Sequence, residues 1–174
     1  MSDSKQRAGI RTGDGDTASV LGAAQRSALR DAFSFWATGV TVITVRDESG
    51  IHGLTASAFA PVSVDPPLVL VCVGNDAPIL THLLDAGRFT VNILSSKQKR
   101  AANTFSDRYA VSLPTFREGD DAVIEDALAS LVCVLDRNLD GGDHRIITGR
   151  VVAADTVIDG APLLHYRRAY RTFD

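Results

Sequence analysis

The sequence predicts a mostly β protein with helical excursions, arranged as a Greek-key-like antiparallel barrel. Three observations carry this. Runs of β-branched and apolar residues recur at 40–47 ("VTVITVRD"), 68–73 ("LVLVCV") and 88–94 ("RFTVNIL"). Two long strand-like runs flank Gly141-Gly142, a hairpin signal. Helical periodicity appears between some strands but does not alternate with all of them, which argues against a doubly wound sheet.

Residues 1–24 are rich in Gly, Ser, Asp and Ala and show no period, so they read as a disordered tail ahead of one domain over 25–174. Asp14 and Asp16 mimic the start of a calcium loop, but Ala18 stands where a third ligand belongs and no bidentate Glu follows. Leu29, Ala32, Phe33 and Trp36 then recur at i, i+3, i+4 and i+7, one face of an amphipathic helix that Gly39 is expected to close.

The first strand run is continuous enough to be buried on both faces. "DESG" turns the chain into a second strand, which enters the small, hydroxylated stretch Thr55-Ala56-Ser57-Ala58. Asp65-Pro66-Pro67 breaks the chain before the next strand. Ile79, Leu80, Leu83 and Leu84 mark a short helix with Asp76 near its start and Gly87 at its end. Ser95 or Ser96 caps a further helix with Ala101, Ala102 and Phe105 inward, residues 107–126 form a charged loop, and "APLLHYRRAYRTF" ends the chain as an extended segment.

Composition narrows the function. A net charge of −3 and an acidic pI near 5.8 argue against a nucleic-acid partner, and no apolar run is long enough to span a bilayer. The first twenty residues lack the apolar core of a secretory signal, which makes a cytoplasmic location the expectation. Two cysteines, Cys72 and Cys133, exclude a disulfide framework and read as buried, inert thiols. Dinucleotide, P-loop, serine-hydrolase and zinc-protease motifs are missing. His52, His82, His144 and His165 are too scattered to define a metal cluster by spacing, so no metal is expected.

Two stretches carry chemistry. In "NILSSKQKRAA" a strand gives way to a helix at Ser95-Ser96, with Lys97, Lys99 and Arg100 beside the helix start, an arrangement for a phosphate. An ordinary capped helix with solvated lysines reads equally well. At residues 55–58 small side chains let backbone approach a planar ligand while Thr55 and Ser57 offer hydroxyls; a tight connection into a core Phe59 is the alternative.

These segments together, "FSFWATGVTVITVRDESGIHGLTASAFAPVSVDPPLVLVCV", "GRFTVNILSSKQKRAANTF" and "GGDHRIITGRVV" with "PLLHYRRAYR", closely resemble the short-chain flavin reductases that serve two-component flavin monooxygenases. The resemblance runs from about residue 26 to 173. It rests on the ATGVTV strand, the TAS-x-F loop before S-x-DPPL, the FxVNIL strand and the GDH opening the penultimate strand. It implies an FMN-binding split β-barrel, a homodimer, FMN or FAD near the subunit interface, NADH or NADPH as co-substrate, and a monooxygenase that receives the reduced flavin. Carried over by position, Thr38, Gly39, Val40 and Thr41 would line the flavin ring or ribityl chain, and Thr55, Ala56 and Ser57 would reach its ring and phosphate side. Asn92, Ser95, Phe105 and Ser106 would complete the pocket, with Arg100 on the phosphate and His144 beside the flavin where nicotinamide stacks. Ala58, where the family often has a second Ser, and Trp36, where other residues are common, depart from the pattern. A flavin-holding electron carrier and a stand-alone split-barrel flavin oxidase are the competing readings.

Overall fold

The computed structural model describes residues 21–106, 113–119, 121–156 and 159–173. Helix α1 spans Ala23–Ser34, and Arg26 N donates to Gly22 O as its first turn forms. Strands β1 (Thr38–Gly39), β2 (Thr41–Asp47), β3 (Gly50–Ala56), β4 (Phe59–Val64) and β5 (Pro67–Gly74) follow. Helix α2 (Ile79–Ala86), strand β6 (Arg88–Ile93), a 3-10 turn at Ser96–Gln98 and helix α3 (Lys99–Ser106) come next. The long hairpin β7 (Ala129–Gly141) and β8 (His144–Thr156) precedes the short strands β9 (Leu164–Tyr166) and β10 (Ala169–Arg171).

Seven strands form one antiparallel sheet in the order β3-β2-β6-β7-β8-β5-β4, and β1-β9-β10 form a second. The expected mostly β, antiparallel architecture with helical excursions is what the chain adopts. The sheet is a split barrel in that β3, at one end of the hydrogen-bonded order, and β5, next to last at the other, line one cleft between them.

Burial explains the strand sequences. Residues Thr41 to Val45 are buried without interruption because β2 has a core on each face. Ile43 and Val45 join Val69, Val71, Val73, Phe89 and Ile147 inside the barrel, closed by Ile79 and Leu83 of α2. Val40 and Val42 face the other way, into a cluster with Leu94, Ala101, Ala102, Ile124 and Leu163 beneath α3. In β5 burial alternates instead, with Val69, Val71 and Val73 inward. Each fully buried side chain of this size stabilises the fold by about 1.5–3 kcal/mol.

Several sequence expectations are corrected. The helix predicted to close at Gly39 ends at Ser34, and Gly39 is an exposed residue of β1 paired with Leu164. The tail expected over 1–24 overlaps α1 at Ala23 and Ala24; residues 1–20 lie outside the described residues. Phe59–Val64, for which the sequence predicted no element, is strand β4, whose register shifts between Pro61 and Ser63. A proline cannot donate to a ladder, so an edge strand with an irregularity is where it is tolerated. The last segment is a hairpin rather than a plain extended tail, turning through Arg167 and Arg168 at φ values of 50° and 61°.

Helix α1 forms on the expected period, but its apolar face is exposed among the described residues. Phe33 is 67% and Trp36 76% exposed. What holds the helix is its C-terminal end: Arg167 N donates to Ser34 O at 2.8 Å, Arg167 lies 4.9 Å over the Phe35 ring, and Arg168 pairs with Asp31 at 2.6 Å.

Candidate active site

The cleft between β3 and β5 encloses about 560 Å³, within the range of small-molecule sites. One wall is the end of β3 and its exit, Thr55-Ala56-Ser57-Ala58; the opposite wall is Cys72 and Gly74 of β5. Phe105 and Ser106, at the end of α3, form a third side, and His144 stands at the rim.

Helix α3 can lie this close because of Gly53. A Cβ there would come within 2.2 Å of the Phe105 ring, so any larger side chain would displace the aromatic that lines the cleft. Thr55 reinforces the same contact by donating its hydroxyl to Ala102 O at 2.6 Å. Its hydroxyl proton is therefore committed to structure. The Ser57 hydroxyl makes no hydrogen bond among the described residues and remains available to a ligand.

His144 opens β8 directly after the two-residue turn Gly142-Asp143, where Gly142 takes φ of 80°. Its Nδ1 lies 2.7 Å from Asp143 Oδ1. A carboxylate can only accept, so a neutral His144 ring carries its proton on Nδ1 and leaves Nε2 as the acceptor. Nε2 is the ring atom over Gly74, at the cleft's edge. The hydrogen bond from His144, followed by that ring's charge when protonated, holds the Asp143 carboxyl below the usual carboxylate range.

Thr55, Ala56, Ser57, Phe105, Ser106 and His144 thus meet in one place. Arg100 lines an adjoining hollow of about 200 Å³ with Lys97, and this hollow shares Thr104 and Leu113 with the cleft. The other expected positions lie elsewhere. Thr38 lines an apolar groove beside α1, and its hydroxyl is buried with no hydrogen-bond partner among the described residues. Val40 and Thr41 are buried, with Thr41 Oγ1 donating to Ala56 O at 2.8 Å. Ser95 borders a separate hollow on the far side of the 3-10 turn.

Asn92 is fully buried and saturated. Its Nδ2 donates to Val42 O at 3.2 Å and to Thr44 Oγ1 at 2.9 Å, and its Oδ1 accepts from Ile124 N at 2.9 Å and Ser130 Oγ at 3.0 Å. It has no polar atom left for a ligand. The amides expected to be free at Ser95-Ser96 are also engaged: Ser96 N donates to Ala161 O at 2.8 Å and Gln98 N to Ser95 O at 2.9 Å. That turn is a structural cap, completed by Ser95 N donating to Gln98 Oε1 at 3.0 Å.

Sequence reasoning missed His52, Gly53, Cys72 and Gly74 as cleft residues. Only Gly53, a glycine inside a strand pattern, carried a signal of close approach. Both cysteines are free; Cys133 is buried and its thiol is pushed up to about 12 by desolvation, whereas Cys72 is half-buried in the cleft wall.

A split barrel whose open seam offers small residues, exposed backbone and one oriented imidazole defines a protein built to receive a flat, partly polar cofactor. The comparisons with known proteins give that class its family. The flavin reductase like domain matches residues 33–174. An NADH-dependent FAD reductase from Streptomyces globisporus is 38% identical over 138 residues, covering 74% of this chain and 75% of that protein. The reductase component of 4-hydroxyphenylacetate 3-monooxygenase from Thermus thermophilus is 35% identical, with 84% and 95% covered. The solved structure of a Streptomyces globisporus NADH:FAD oxidoreductase in complex with NAD and FAD fragments aligns with a TM-score of 0.83 at 34% identity, over 90% of this chain and 98% of that one. The chain spans only 42% of the probable flavin reductase of Rhizobium meliloti, to which it is 44% identical over 133 residues. The protein belongs to the flavin reductase like family and is an oxidoreductase of that class.

Proposed function

We propose that the protein reduces FMN or FAD with a hydride from NADH or NADPH and releases the reduced flavin to a separate flavin-dependent monooxygenase. The observation that carries this is the open cleft with His144 oriented at its rim and small residues along one wall. The site fits a flavin by volume, by the close approach of backbone along 55–58, and by the adjoining hollow with Lys97 and Arg100 for a phosphate. When bound, the nicotinamide supplies a hydride and the flavin accepts it. The chain contributes alignment and electrostatics: Phe105 and the 55–58 backbone confine the ring, and His144 positions the second ring over the open side. Oxidation of NADH that depends on added flavin, measured with FMN and FAD against NADH and NADPH, tests the reading. An electron carrier would show no nicotinamide oxidation. A stand-alone oxidase would consume its own substrate without free flavin.

Arg100 is assigned to the flavin phosphate. Arg100→Ala is expected to weaken flavin binding by about 1–3 kcal/mol, the scale of a charge-assisted hydrogen bond, with a much smaller fall in rate at saturating flavin. Unchanged affinity would return Arg100 to an ordinary helix residue.

A homodimer completes the site. The groove beside α1 encloses about 590 Å³, is lined by Phe33 and Trp36, and shares Ser57, Ala58 and Cys72 with the cleft. A second copy seated there would cover the exposed aromatics and wall the cofactor cleft. Light scattering is expected to give about twice the 18.5 kDa chain mass, and Trp36→Glu to shift it toward the single-chain value. A monomer with full activity would contradict this. The two free thiols support a reducing, cytoplasmic setting.

A further inference from the structure

Away from the hydride chemistry, three residues that the sequence keeps apart converge behind the cleft. Asp47 ends β2, His52 lies across the same hairpin in β3 opposite Val45, and His82 projects from α2. The His52 and His82 rings stack at 3.5 Å between centroids, 10° from parallel. Both address one carboxylate: His82 Nδ1 is 2.6 Å from Asp47 Oδ2, and His52 Nε2 is 3.2 Å from Asp47 Oδ1. Ser49 Oγ also bonds Asp47 Oδ1 at 2.6 Å and lies 2.8 Å from His52 Nε2.

We propose that Asp47, His52 and His82 form a binding site for a divalent transition cation of the zinc class. One donor atom from each residue lies within 4.8 Å of the other two. Ligands of a tetrahedral zinc ion, each about 2.0–2.2 Å from the metal, stand roughly 3.3 Å apart. Both imidazole nitrogens already stand 2.6 and 3.2 Å from the carboxylate, so the adjustment falls on the nitrogens themselves, which converge by rotation of the part-exposed His82 ring out of the stack. Two imidazoles and a carboxylate suit zinc, cobalt or nickel, not magnesium or calcium, which prefer all-oxygen shells. The side chains are 27%, 27% and 32% exposed for Asp47, His52 and His82, enough to admit an ion and leave a fourth position to water. A neutral imidazole donates its lone pair by moving its proton to the other ring nitrogen, so uptake needs no net proton release from a neutral ring. The bound cation would join the β2–β3 hairpin to α2 through coordination in place of hydrogen bonds, and through His52 it would stiffen the cleft wall.

The test uses the full-length, untagged, chelator-treated protein and Zn²⁺ or Co²⁺ as the probe. One Zn²⁺ per chain is expected by calorimetry, together with a rise in melting temperature on adding Zn²⁺ and visible Co²⁺ absorption of a four-coordinate nitrogen–oxygen site. His82→Ala is expected to weaken Zn²⁺ binding at least tenfold and abolish the Co²⁺ bands, while His165→Ala leaves both unchanged. His52→Ala, which keeps the His82–Asp47 contact to α2, serves as the second variant if His82→Ala fails to fold. Binding no tighter than millimolar, or affinity in the His52 and His82 variants equal to that of the unmutated protein, would overturn the site. None of these readouts involves flavin, so failure here and failure of the reductase reading are separable.

Discussion

Asn92→Ala is expected to lower the melting temperature by about 6–12 °C while leaving flavin affinity per folded molecule unchanged. The residue bridges three elements at once: it bonds Val42 and Thr44 of β2, Ser130 of β7, and the backbone of Ile124 in the segment that covers the second core. Removing it strands several buried groups, each costing about 1–3 kcal/mol when left unpaired. Partial relaxation and re-pairing, such as Thr44 Oγ1 keeping its bond to Ala122 O at 2.6 Å, reduces the sum. A net loss near 3 kcal/mol is the expectation, which in a chain of this length corresponds to about 2–4 °C for each kcal/mol. Such a loss is a large share of the ~5–15 kcal/mol that stabilises a typical domain. Paired thermal melts and flavin titrations decide it. An unchanged melting temperature with tenfold weaker flavin binding would move Asn92 back to the cofactor.

His144→Ala is expected to leave the fold and flavin binding intact and to lower turnover by roughly ten- to a hundredfold, about 1.4–2.7 kcal/mol of barrier. The fold should tolerate the change because the side chain is about half exposed and Asp143, to which it hydrogen-bonds, is solvent-exposed too. The rate should not, because the imidazole is the oriented polar group at the rim of the cleft, held by Asp143 with Nε2 toward Gly74. Asp143→Asn separates orientation from presence: it keeps a side chain beside Nδ1 but removes the carboxylate's preference for one tautomer, and an intermediate rate is expected. Flavin titration and NADH oxidation on the same preparation supply both readouts. Normal turnover in His144→Ala would take the residue out of the mechanism, and lost flavin binding would place it in the cofactor site.

The sequence made the strands legible where burial selects them. Thr41 to Val45 and the alternating Val69, Val71 and Val73 announce their partners because only β-branched residues fill both sides of β2 and one side of β5. The long hairpin was legible from local turn chemistry, although its turn is Gly142-Asp143, one residue beyond the centre of the glycine pair. Phe59–Val64 was obscured by Pro61, since edge strands tolerate what central strands exclude. The cleft was half legible. Small residues at 55–58 and the histidine after Gly142-Asp143 point to it, yet nothing local distinguishes Asn92 in a core from Asn92 in a pocket. Its environment is set by β2, β7 and residue 124, all distant in sequence. The apolar stripe of α1 had the right period, but periodicity says which face is apolar and not what covers it. The convergence of His52 with His82 has no sequence signature, because the stacking depends on how α2 packs over the hairpin.

The smaller sheet has a bearing on how the chain is made. Strand β1 neighbours β2 in sequence, but its partner is β9, near the other end of the described chain, and Val40 N likewise waits for Leu163 O. All seven strands of the main sheet are already present by Thr156. Every strand of the barrel therefore precedes the last hairpin in the chain, and the sheet needs no hydrogen bond from that hairpin to complete its order. The α1 segment is then tethered late, by contacts such as Arg168 to Asp31, 137 positions apart in sequence. A chain truncated shortly after Thr156 should hold a protease-resistant barrel with a digestible α1 segment, and restoring the residues through β10 should protect that segment.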